Sequence, residues 1–177
     1  FALGMLLPSR GASLALSYSQ MGLISTGNFT GYMISVILAG IVARAIGARW
    51  TIAAGLTLVG GSMVLIGGAN GFFEITALYV ATGIGSGLAN VPMMGLVSHW
   101  FEPSTRGRAA GTMISGNGIA IVFAGFFVPF INITLGSDGW RTGWVVMGGL
   151  SVLIAVVAGF LLRNSPAEKG IEPLGRS

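Results

Sequence analysis

Apolar and polar positions in this chain do not alternate; they fall in long blocks. Residues 78–100 form one apolar block free of charge until its end, and residues 109–133 form a second. Between them lies a compact polar stretch, His99, Trp100, Phe101, Glu102, Pro103, Ser104, Thr105, Arg106, Gly107 and Arg108. An uncharged block of about 20 residues crosses a hydrocarbon core of about 30 Å as a helix. A soluble helix of that length needs a polar face, and neither block has one. The pair is therefore a membrane hairpin. Blocks 20–43, 50–69 and 142–162 repeat the style, while 1–8 has the character of the tail of a span too short to cross alone. The linkers are 10–19, 44–49, 70–74 and 134–141, the last marked by the turn formers Gly136, Asp138 and Gly139. The pattern predicts an all-α polytopic transmembrane bundle over 1–163, with five complete spans and a partial first one, then a polar tail over 164–177.

Composition sharpens this picture. Charged residues make up 8% of the chain, apolar ones 53%, and 30 of the 177 residues are glycine. Soluble proteins carry about 25% charge and about 7% glycine. Little charge with abundant glycine suits bundled membrane helices, because small residues let helix backbones approach closely. Collagen-like and disordered classes are excluded, since the glycines keep no fixed period and apolar residues dominate. The net charge of +4 is spread between apolar blocks, not gathered into a nucleic-acid-binding patch. With no cysteine, disulfides and thiolate metal sites are excluded. The chain opens inside an apolar segment without an initiating Met, which predicts an incomplete N-terminus.

Charge also predicts orientation. Alternate linkers place Arg44, Arg49, Arg106, Arg108, Arg163, Lys169 and Arg176 on one side and only Arg10 and Arg141 on the other. Basic residues accumulate on the cytoplasmic side, so the first group and the tail are expected there, in the inner membrane of a bacterium. Trp50, Trp100, Trp140 and Trp144 all stand at predicted span ends, where an aromatic belt would place them.

Candidate chemistry is sparse. One His, no Cys and no carboxylate inside a span leave no nucleophile–base pair and no metal cluster, so neither enzyme nor cofactor is expected. The candidates are the intramembrane amides Asn28, Asn90 and Asn117, with Arg10 and His99 near span ends. A buried amide in hydrocarbon needs partners, so each faces another helix or a polar cavity. Gly83, Gly87, Asn90 and Met94 recur at helical spacing and share one face. His99, beside Trp100, suits an interfacial role, and Arg10 a headgroup anchor or a cavity ligand. The glycines are expected to pack helices, since none sits in a strand–turn–helix phosphate cradle.

The linkers carry a resemblance. The stretch from Gly40 through Ala43, Arg44, Ala45 and Gly47 to Arg49 resembles the basic loop between helices two and three of the major facilitator superfamily. Arg44 stands where that family usually has Asp, and Ala45 where it usually has Arg. Trp100, Phe101, Pro103, Arg106, Gly107 and Gly111 resemble its loop between helices four and five, and Gly139, Trp140 and Arg141 the loop before helix six. Pro166, Gly170, Pro173 and Gly175 resemble the start of its long central loop. Gly83, Gly85 and Gly87 resemble its helix-four glycine cluster without the usual leading Arg.

The resemblance implies the N-terminal six-helix half of a secondary transporter, built from two inverted three-helix repeats. Helices two and five would be equivalent, as the echo of Ile24, Ser25 and Asn28 in Ile114, Ser115 and Asn117 suggests. It implies a small polar or anionic solute, moved by alternating access through a midplane cavity that favours Asn117 and Asn90 over Asn28 and Arg10. It makes Gly40, Arg44, Gly47, Arg49, Arg106 and Gly107 the conformational-loop candidates. Expected partners are membrane lipid, the solute, and a covering C-terminal half, second copy or host complex. The alternative is a non-transporting half retained as a structural subunit of a larger membrane complex.

Overall fold

The computed structural model describes residues 17–136 and 139–170. The first predicted span, Arg10, the turn residues Ser137 and Asp138 and the end of the tail lie outside them. The elements are α1 (Tyr18–Ile46), α2 (Ala48–Gly68), α3 (Phe72–Trp100), α4 (Pro103–Leu135), α5 (Gly139–Leu161) and a short 3-10 turn (Pro166–Lys169). Helices α1 to α5 are the second to sixth predicted spans, and all five are long and apolar enough to cross a membrane.

The helices run further than the apolar blocks. Of the polar stretch after residue 98, only Phe101 and Glu102 stand outside a helix. Pro103 opens α4 at its first turn, where a missing N–H costs nothing, and Arg106 and Arg108 are already helical. The basic linker after α1 shrinks likewise to Gly47, whose φ of 85° is open to glycine and strained for other residues. Ser17 starts α1 with a capping box: its hydroxyl accepts from Gln20 N at 3.2 Å, and Gln20 Oε1 accepts from Ser17 N at 2.9 Å. Polar helix ends protrude from hydrocarbon because their backbone is satisfied internally whatever surrounds them.

In space the order is α1, α3, α2, α5, α4. Each of the first three contacts is built on glycine. Between the parallel pair α1 and α3, a Cβ on Gly31 would strike the Val80 carbonyl, one on Gly83 the Asn28 carbonyl, and one on Gly87 the Ser35 hydroxyl. Between the antiparallel pair α2 and α3, Gly55 and Gly85 each face the other's carbonyl oxygen, at 2.7 and 2.6 Å from an added Cβ. Between α2 and α5, Gly60 and Gly148 do the same at 2.6 and 2.7 Å, flanked by Val152 and Val64 at 2.7 and 2.8 Å. Lipid tails are as apolar as leucine, so packing rather than hydrophobic burial holds such helices together, and small residues permit it.

The last pair is reciprocal residue for residue. Gly60-Gly61 followed by Val64 meets Gly148-Gly149 followed by Val152, antiparallel, so a pseudo-two-fold axis passes between the two helices. That is the relation expected of inverted three-helix repeats.

One expectation needs correction. Trp140 and Trp144 are each 1% exposed and sit in the core with Ile24, Ile66, Ile75, Tyr79 and Val128, not in an interfacial belt. The Trp144 and Tyr79 rings meet edge to face, centroids 5.5 Å apart. Gly139 and Gly143, both buried, bring the start of α5 close enough to carry these indoles inward. Trp50 remains exposed, as a belt residue should be. Helix α4 is exposed throughout residues 114–120. It packs on α5 and, more slightly, on α3.

Candidate functional site

The three intramembrane amides part company. Asn28 Nδ2 donates to the Tyr79 carbonyl oxygen at 2.9 Å, tying α1 to α3 beside Gly83. That carbonyl belongs to a helix and gains a second donor, so the Asn28 amide bridges α1 and α3. Asn90 is exposed on α3, and its Nδ2 reaches the Tyr32 hydroxyl of α1 at 3.2 Å. Asn117 lies on the exposed part of α4 without a hydrogen bond among the described residues. The structure does not bring Asn117 to Asn90 or Asn28, and Arg10 lies outside the described residues.

Tyr32 is the middle residue of the 29-residue α1. Asn90 lies one turn beyond the centre of the 29-residue α3. The predicted α3 face therefore changes character along its length: Gly83 and Gly87 are buried against α1, whereas Asn90 and Met94 are open. In the pair, the Tyr32 oxygen accepts from Asn90, which leaves the phenolic proton free to be donated and the Asn90 carbonyl oxygen free to accept. Tyr32 was not legible as a site residue, because a lone tyrosine in an apolar run reads as packing. A second buried polar contact, Ser62 Oγ to Thr82 Oγ1 at 2.8 Å, joins α2 and α3 where a side-chain bond replaces water.

The linker candidates gather at one end. Arg49 N donates to Asn164 Oδ1 at 2.9 Å and Arg49 Nε to the Gly159 carbonyl at 2.5 Å, while its guanidinium lies 4.8 Å from the Trp50 ring centroid. A cation on the last carbonyls of α5 is favoured by the helix dipole. Arg106 closes the α3–α4 link by donating to the Phe101 and Ser98 carbonyls at 2.9 and 2.8 Å. Trp100 Nε1 donates to the Arg163 carbonyl at 3.1 Å, fastening the start of the tail to α3. Arg44 is exposed at the end of α1, and Gly40 and Gly107 have open space where a Cβ would stand. At the opposite end, Arg141 donates to the Gly67 carbonyl at 2.9 Å and to Asn70 Oδ1 at 2.6 Å, and lies over Trp140. Gly159, Asn164 and Asn70 were missed as partners because each is remote in sequence from the arginine it serves.

The described residues thus form a glycine-stitched bundle of five apolar helices, each long and apolar enough to cross a membrane. The Major Facilitator Superfamily profile matches residues 1–177, and the chain belongs to that family. It is 26% identical over 94% of its length to a hexuronate transporter of Bacillus subtilis, covering 39% of that protein. It is 25% identical over 93% of its length to the membrane sensor protein UhpC of Salmonella typhimurium, covering 36% of it. A probable hexose phosphate transport protein of Chlamydia pneumoniae is 24% identical over 95% of the chain, which covers 36% of that protein. The chain thus spans well under half the length of these relatives.

Proposed function

We propose that the chain is the N-terminal half of a secondary transporter that moves a small hydroxylated organic anion by alternating access. The observation that carries this is the exposed Asn90–Tyr32 pair near the middle of two spans. One free donor beside one free acceptor complements a sugar hydroxyl, which both donates and accepts. Two of the named relatives are a hexuronate transporter and a probable hexose phosphate transport protein, and hexuronates and hexose phosphates are hydroxylated anions. The described arginines within α1 to α5, Arg44, Arg49, Arg106, Arg108 and Arg141, all stand within two turns of a helix end, away from the pair, so the pair addresses hydroxyls rather than the charge. Uptake by cells expressing the full reading frame tests the proposal. Labelled glucuronate or glucose 6-phosphate should accumulate above vector controls, and absence of uptake across such anions would overturn it.

Arg44 in place of the family's Asp favours a second reading, a subunit that does not transport. That protein would co-purify with a host complex at fixed stoichiometry and show no uptake.

The orientation proposed puts the Arg44, Arg106 and Arg163 end in the cytoplasm, supported by the basic-residue asymmetry. Cys introduced at Ala45 or Ser104 should resist an impermeant thiol reagent on intact cells, and Cys at Gly71 should react. All three positions are exposed, and residues 1–177 contain no cysteine to interfere. The reverse labelling pattern would invert the topology.

A further inference from the structure

A groove of about 390 Å³ opens at the basic end between α1, α3 and the start of α2. Its rim carries Arg44, His99 and Asn164, and its floor is apolar, with Val91, Pro92 and Leu96. Arg44 makes no hydrogen bond or ion pair among the described residues. His99 Nδ1–H donates to the Gly95 carbonyl at 2.9 Å, so its Nε2 can donate to an anion only as the imidazolium. Among the described residues, Glu168 is held by Asn164 Nδ2 at 3.0 Å and does not line the groove.

The dimensions suit an amphiphile. From His99 to Val91 the floor follows α3 for about 12 Å at 1.5 Å per residue. The groove thus descends from the level of Trp100, at the helix end, into the depth of the acyl chains. Its direction also matters. At about 100° per residue, the α3 residues that line it centre almost opposite Asn90 around the helix axis. On α3, the lining residues therefore face away from Asn90.

We propose that this groove binds one anionic phospholipid, its phosphate against Arg44 and His99 and an acyl chain along Val91, Pro92 and Leu96. A positive rim above an apolar floor, without a carboxylate in the lining among the described residues, complements that chemistry at both ends. Bound lipid would brace the ends of α1 and α3 beside the Gly47 link.

Native mass spectrometry of the full-length protein, titrated with phosphatidylglycerol or with phosphatidylcholine of the same chains, tests the proposal. One phosphatidylglycerol should be retained several-fold more tightly than phosphatidylcholine. Arg44→Gln should remove most of that preference, whereas Arg108→Gln, at the same end but outside the groove, should leave it intact. Gly40→Phe has open space to enter and should fill the groove, cutting retention without lowering the melting temperature. Excess glycerol 1-phosphate should not displace the lipid. Equal losses in Arg44→Gln and Arg108→Gln would reduce the effect to general surface charge and overturn the site. So would unchanged binding in both Arg44→Gln and Gly40→Phe, displacement by glycerol 1-phosphate, or cross-linking of Gly95→Cys to another polypeptide segment, which would show protein in the groove.

Discussion

Valine at Gly60 is expected to abolish recovery of the folded bundle, while alanine at Gly61, the next residue, leaves it intact. An added Cβ at Gly60 would lie 2.6 Å from the Gly148 carbonyl oxygen and 2.8 Å from the Val152 nitrogen, whereas ordinary contact begins near 3.4 Å. Both obstacles are backbone, so no side chain can turn aside. Helices α2 and α5 must separate by the better part of an ångström, and every contact along their crossing loosens with them. Overpacking typically costs about 1–3 kcal/mol, and a branched side chain against backbone belongs at or above the top of that range. At Gly61 nothing lies within 4 Å. Alanine there exchanges a poor helix former for the best one, worth up to about 1 kcal/mol in water. The other partner of the crossing repeats the test: Gly148→Val should fail and Gly149→Ala should behave as the native protein. Size-exclusion profiles and melting temperatures in mild detergent check all four. A monodisperse, normally melting Gly60→Val protein would show that the crossing is not where the fold is held.

This contrast also marks what the sequence could disclose. The blocks of apolar residues made the five described spans and their order legible, because hydropathy reports the bilayer and the bilayer dictates helices. Which glycine of a Gly-Gly pair faces a neighbour was not legible. That depends on rotation about the helix axis, and these helices carry apolar residues on every side. The same uniformity hid the repeat. The echo between Ile24–Asn28 and Ile114–Asn117 was visible in one dimension, but the matching Gly60 and Gly148 signatures gain meaning only when two antiparallel helices are seen to cross at them. Tryptophan misled for a related reason. Its position near a span end is shared by belt residues and by core residues of a helix that starts close to its neighbour, and only the buried Gly139 and Gly143 separate the cases. Of the candidate site, Asn90 was legible as a polar residue in an apolar run, while Tyr32 was not. Tyrosine announces a function through its partner, and that partner is 58 residues away.

Tyr32→Phe is expected to weaken the apparent affinity for the transported solute about tenfold while leaving the amount and melting temperature of the protein nearly unchanged. The hydroxyl does two things at once. It accepts from Asn90 Nδ2 at 3.2 Å, and its proton remains to be donated. Interhelical side-chain hydrogen bonds in membranes average about 0.6 kcal/mol, so loss of the Asn90 contact alone shifts stability little. Loss of the donor to a bound solute leaves a desolvated oxygen of that solute without a partner, which costs about 1–3 kcal/mol. Each 1.4 kcal/mol is a factor of ten in affinity. Asn90→Leu should produce a similar kinetic defect, since it removes the acceptor and frees Tyr32 from its orientation. The double variant should be little worse than either single one if the two side chains act as a unit. Asn28→Leu supplies the opposite signature. Its amide serves the Tyr79 carbonyl at 2.9 Å, so its removal should lower the melting temperature slightly and leave the apparent solute constant alone. Concentration-dependent uptake, beside thermal unfolding of each purified variant, separates the two. An unchanged apparent constant in Tyr32→Phe, with uptake otherwise intact, would return the pair to helix packing and move the solute site to other residues.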